Sequence, residues 1–159
     1  MLKNNTKTMK SIKINIDIVF FAMLILSAVI IYLFYRAWNN PAPSIPEVKG
    51  DSLSFFNIDS CTFSQRNIVV VGWALLPEKG KVLNRIYAEK NNGEWIELMS
   101  SMQPRRDVSE AFKAGDKYDK SGFIASRHDL SAEKDFTKKI MIVSFDEKGV
   151  GHAAKAHCK

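Results

Sequence analysis

A single membrane-spanning helix followed by one mainly β domain is the fold class the sequence predicts, and three observations predict it. Residues 18–35 (IVFFAMLILSAVIIYLFY) carry no charged side chain, and a stretch with three prolines follows at 39–50. Beyond it, short runs rich in Val, Ile, Phe and Trp recur at intervals of about 8 to 15 residues, separated by turn residues.

The apolar run comes first, and its one clearly polar residue is Ser27. At about 1.5 Å per residue its length is roughly 27 Å, close to the hydrocarbon thickness of a bilayer. Lys3, Lys7, Lys10 and Lys13 precede it, whereas only Arg36 and Lys49 follow it closely. Short basic flanks stay on the cytoplasmic side, so the N-terminus is expected inside and the C-terminal bulk outside. Tyr32, Phe34, Tyr35 and Trp38 gather at the far end, as an interfacial belt would. The expected organisation is a cytoplasmic tail at 1–17 and a transmembrane helix at 18–38, an uncleaved signal anchor in the inner (cytoplasmic) membrane. A cleaved signal peptide is the competing reading. The apolar run is longer than the usual 7 to about 15 residues, however, and the small residue Ala42 is followed at once by Pro43.

The charge of the chain follows from the same segment. Net charge is +6 and the pI about 9.3. Residues 1–49 hold six Lys/Arg against two acids, and residues 50–159 hold seventeen against fifteen. The basicity belongs mainly to the tail that sets topology, and the outer domain lacks the aromatic and basic clustering of a nucleic-acid platform. No nucleic-acid partner is expected.

Asn39 to Gly50 contains Pro41, Pro43 and Pro46, which remove backbone donors and favour extended polyproline geometry. This reads as a semi-rigid spacer of up to roughly 37 Å, the alternative being a segment packed along the domain. The domain then occupies 51–159, outside the cytoplasm and, in an envelope with two membranes, in the periplasm.

Its expected strands are 53–58, 67–76, 82–90, 94–99, 121–127, 137–145 and 151–157. Ile68, Val69, Val70, Val71, Trp73 and Leu75 make the second apolar on both faces, the mark of a central strand. Asn91-Asn92-Gly93 is a hairpin turn between the third and fourth, because Asn and Gly tolerate positive φ. Asp146-Glu147-Lys148-Gly149 closes the sixth. One short helix is expected at Asp107–Ala114, with Asp107 capping, Glu110 three residues on, and Gly115 as its stop. Seven strands with one short helix in a crossover predict an antiparallel β-sandwich of immunoglobulin-like architecture, with a small barrel as the alternative.

Cys61 and Cys158 are the two cysteines, and both fall on the side placed outside. An oxidising compartment favours a bridge between them over two free thiols.

Three local patterns, Val71-Gly72-Trp73-Ala74, Arg105-Arg106-Asp107-Val108 with Ala111-Phe112, and Ser121-Gly122-Phe123, occur in that order. Together they resemble an immunoglobulin-like β-sandwich accessory module of bacterial envelope proteins, also found attached to polysaccharide glycosyltransferases. The resemblance covers about residues 53–158, with Arg106 standing where proline is commoner. It implies a periplasmic, non-enzymatic module associated with surface-glycan or membrane-enzyme machinery, and it brings no catalytic residues.

Read on their own chemistry, these residues are mostly structural. Trp73 suits a core position, since burying an indole removes a large apolar area from water. Arg105, Arg106 and Asp107 suit an ion pair at the Pro104 turn into the helix. Trp95, just after the hairpin turn, and Arg106 are the two candidates for contact with a ligand, although cross-strand packing is the stronger reading of Trp95.

Chemistry is otherwise sparse. His128, His152 and His157 lack the spacing of a metal site, and neither a nucleophile elbow, a phosphate-cradling loop nor a zinc-protease motif occurs. Asp116 and Asp119 sit in a mixed-charge loop without the regular oxygen ligands calcium needs. No metal, cofactor or enzymatic activity is expected. The expected function is a membrane-anchored accessory module that binds another envelope protein or a glycan. The alternative is a small regulatory subunit acting on a membrane enzyme or transporter through its helix.

Overall fold

A computed structural model describes residues 16–39, 48–77, 79–80 and 82–158 of the chain. The lysine-rich tail up to residue 15, the spacer at 40–47 and the side chain of Trp38 lie outside the described residues. The chain forms two units, one ending at Ala37 and one beginning at Trp38.

The helix α1 (Ile16–Asn39) is 24 residues long, and all but its last two residues belong to the first unit. Its stretch Ile16–Ala37 is long and apolar enough to cross a membrane, and none of it is buried within the protein. Those 22 residues span roughly 33 Å at the usual rise. The Ser27 hydroxyl donates to the Met23 carbonyl at 2.9 Å, so the polar group in the run is satisfied within the helix. The helix begins two residues before the expected 18–38, taking in Asp17, whose charge complements the positive end of the helix dipole.

The second unit is mainly β, as the sequence predicts. Its strands are β1 (Phe55–Phe63), β2 (Asn67–Leu75), β3 (Leu83–Lys90), β4 (Trp95–Gln103), β5 (Gly122–His128), β6 (Phe136–Phe145) and β7 (Gly151–His157). Each overlaps an expected strand. The turn between β3 and β4 has Gly93 at φ 84°, and the turn after β6 has Gly149 at φ 76°. The Asp146 carboxylate holds the latter by accepting from the amides of Lys148 and Val150, each at 2.9 Å.

Two short helices stand where one was expected. The first, α2 (Arg106–Ala111), has Arg105 at its N-cap and no side-chain cap. Asp107 does not cap it, because its carboxylate is taken by Arg105, and the helix stops before 114 because Lys113 turns to a left-handed φ of 51°. The second, α3 (Ala132–Asp135), is four residues long, too short to leave a helical period in the sequence.

The strands follow one hydrogen-bonded order, β1-β2-β5-β4-β3-β6-β7, with every neighbouring pair antiparallel. That neighbour order is the A-B-E-D and C-F-G order of a seven-stranded immunoglobulin constant domain. The two halves are continuous, since β4 pairs with β3 from Trp95 to Leu98 and then passes to β5 from Met99 to Gln103.

One face of every strand lines a single core. Ile68 and Val70, Ile86 and Ala88, Ile96 and Leu98, Phe123 and Ala125, and Ile140 and Ile142 are buried in it, with Phe56 and Ile58 of β1 and Ala154 and Ala156 of β7 packed against it. Seven strands can share one core only if the sheet curls back on itself, so its two edges approach each other. The chain entering the domain helps to close the gap. Gly50 and Leu53 donate to the carbonyls of Gly151 and Ala153, both at 3.0 Å, before β1 crosses to pair with β2. The Cys61–Cys158 disulfide then ties β1 to the residue following β7.

Candidate functional site

The three sequence patterns converge on one corner of the sheet. In the β2–β5 ladder Trp73 lies opposite Gly122, and Gly72 opposite Phe123. Both glycines are required by close approach: a Cβ on Gly72 would sit 2.3 Å from the Asn57 carbonyl oxygen, and one on Gly122 would sit 2.5 Å from Cγ of Arg105. The arginine side chain therefore lies directly over the start of β5.

Arg105 is the hub of this corner. Its Nε donates to both carboxylate oxygens of Asp107 at 2.9 and 3.1 Å, and its Nη2 to one of them at 2.7 Å. Nη1 donates to Asp59 on β1, whose other oxygen accepts from the Asn57 amide at 2.9 Å. The backbone amide of Arg105 donates to the Asp119 carbonyl at 2.7 Å, which fixes the loop after α2. The hydrogen bonds from Arg105 hold the Asp107 carboxyl below the usual carboxylate range, and the Asp107 contact raises the guanidinium's own affinity for its proton. A planar guanidinium gripping one carboxylate with two nitrogens and a second with its third nitrogen fixes geometry as well as charge.

Beside the hub lies an aromatic cluster. Phe112 meets Phe55, Trp73 and Tyr118 edge-on, at ring-centroid distances of 5.7, 6.1 and 5.9 Å. Tyr118 is buried with Leu75 and Val108 under α2, whereas Phe55 and Phe112 are each about two-fifths exposed and Trp73 is half-buried. Trp73 is thus outside the main core that its sequence context suggested. Its neighbours Gly72 and Ala74 face inward, so the pleat turns the indole outward. No family model and no curated protein matches the chain.

The two predicted contact residues are far apart in character. Trp95 is 8% exposed and packs with Tyr87, Met141 and Val143, while the Lys155 ammonium lies over its ring at 5.4 Å. It offers no open platform. Arg106 is exposed and pairs with Asp119 at 4.0 Å. Asp59, Asn57 and Phe55 were not singled out by sequence, because they lie about fifty residues from Arg105 and only the fold brings them to it. Phe112 stands in the Arg105–Phe112 pattern, which carries no sign of its ring contacts to Phe55 and Trp73.

Among the described residues no three His, Cys, Asp or Glu side chains gather as metal ligands would. A shallow cleft runs between Phe56, Ile58 and Ser60 on β1 and His157 beyond, with the disulfide along its wall.

Proposed function

We propose that the chain is a membrane-anchored accessory module, with its β domain outside the cytoplasm in the periplasm, that works by binding to envelope or surface-polysaccharide machinery rather than by catalysis. The observation that carries this reading is the corner itself: three partly exposed aromatic rings held rigid beside an arginine hub. Rings and guanidinium groups of this kind dominate binding energy at protein interfaces, and rings also stack on sugars. The apolar helix supports an anchor in the inner membrane, and the disulfide supports an oxidising compartment.

A photo-reactive phenylalanine placed at Phe112 tests the site in intact membranes. It is expected to capture one dominant envelope component, identified by mass spectrometry, and capture is expected to fall about thirtyfold when Phe55→Ala and Arg106→Ala are added, as loss of two contacts of 1 kcal/mol or so would predict. Equal capture from a probe at Lys155, on the opposite face, would remove the proposal.

A further inference from the structure

Only two charged side chains fall within α1, and they stand near its two ends. Asp17 is in the first turn and Arg36 in the last, and residues 18–35 between them carry no charge. At the usual rise the helix advances about 28 Å from one to the other, close to the roughly 30 Å of a bilayer's hydrocarbon layer. A helix centred across that layer therefore sets each charge at a boundary between acyl chains and headgroups. A large tilt or an axial shift would draw one of them into the hydrocarbon, where an unpaired charge is costly.

The guanidinium of Arg36 is already oriented. Its Nη1 donates to the hydroxyl of Tyr32 at 3.4 Å. The two residues are four apart and share one helix face, so Arg36 lies along the helix beside the phenol. The hydroxyl accepts from the guanidinium and keeps its own O–H to donate, and the guanidinium has further N–H groups beyond the one so used. Both side chains are exposed on the outside of the helix. The one acid in α1 is Asp17, at the opposite end. The pair is thus a set of donors on a positive charge, at headgroup depth, with no carboxylate in the helix to accept from it.

We propose that Tyr32 and Arg36 hold the phosphate of a phospholipid in the leaflet at the C-terminal end of α1, and that this contact fixes the depth of the helix. A phosphate diester carries one negative charge over two unesterified oxygens, which suits a guanidinium and a hydroxyl side by side. The depth favours a lipid over the carboxylate of a partner helix. The pair lies in the layer where phosphates are abundant, whereas a charge in the middle of the span would require a protein partner. The proposal rests on the anchoring proposed above.

Solid-state magnetic resonance tests this on the full chain, with nitrogen-labelled arginine, in vesicles of phosphatidylethanolamine and phosphatidylglycerol. Dipolar coupling between guanidinium nitrogen and lipid phosphorus is expected, and the part that disappears in Arg36→Gln measures the site. Tyr32→Phe, which keeps the ring and removes the hydroxyl, is expected to reduce that part by about half, as loss of one of two donor groups would. Coupling that Arg36→Gln or Tyr32→Phe leaves unchanged would overturn the site. In maltoside micelles with inorganic phosphate the coupling is expected to be absent, and equal coupling there would make this a site for a free anion and overturn the lipid assignment. Flotation of the vesicles separates the two readings. A chain that floats without the coupling removes the phosphate site alone, and a chain that does not float removes the anchor.

Discussion

The residue that most clearly holds the domain together is Asn84, buried in β3. Its Nδ2 donates to the carbonyls of Ala74 and Ser121 at 3.0 and 2.9 Å, and its Oδ1 accepts from the Ser144 hydroxyl at 2.6 Å. One amide thereby joins β3 to the end of β2, the start of β5 and the inner face of β6. Asn84→Ala removes the bonds to both carbonyls, of which that of Ser121 keeps the Ala74 amide, and takes the Asn84 acceptor from the buried Ser144 hydroxyl, and is expected to destabilise the domain by about 2 to 4 kcal/mol, read as a lower urea midpoint at unchanged slope. A loss under about 0.5 kcal/mol, the range of an ordinary surface change, would sink this view of Asn84. Nothing near position 84 in the sequence signals the role, because each partner lies ten or more residues away and an isolated Asn in an apolar run reads as a surface residue.

At the scale of elements, the weak points of a curled sheet are its edges, β1 and β7. The chain at 48–53 covers part of the gap, and the disulfide spans 97 residues of sequence to close the rest. Cys61→Ser with Cys158→Ser is expected to lower stability by up to about 4 to 5 kcal/mol in the chain-entropy picture. Limited proteolysis checks which element is released: cleavage should begin in the 146–150 turn that precedes β7. Unchanged protease resistance would show that the backbone pairing alone holds the edge. The strands themselves were legible before folding, since alternation, the Asn-Asn-Gly turn and the Asp146–Gly149 turn are local. The helix at 106–111 was legible in place but not in its cap, because Asp107 serves a long-range ion pair instead.

For the whole molecule, acid is the expected weakness. Hydrogen bonds from Arg105 lower the Asp107 carboxyl, the amides of Val150 and Lys148 lower Asp146, and the Thr137 hydroxyl lowers Glu89. A carboxyl whose folded affinity for protons is reduced contributes stability that is full above its ordinary value, 3.8 for Asp and 4.5 for Glu, and is lost as pH falls through the folded value. Denaturation midpoints are therefore expected to be flat from neutral pH to about 5 and to fall below about 4, with Asp146→Asn showing a shallower fall. A midpoint that rises on acidification would contradict these assignments.

Class and order of elements were written in the sequence because they rest on local periods: an uninterrupted apolar run for the helix, alternation and turn residues for the strands, and two cysteines for the bridge. The corner and the covering of Trp95 were decided only by tertiary structure. Whether Trp73 is a core residue or a surface one depends on which way the pleat turns it, and whether Trp95 is covered depends on Lys155 arriving sixty residues later. Arg105 becomes a hub only once β1 carries Asp59 to it. Burial and charge pairing are properties of neighbours, and neighbours in space are what one chain read residue by residue does not contain.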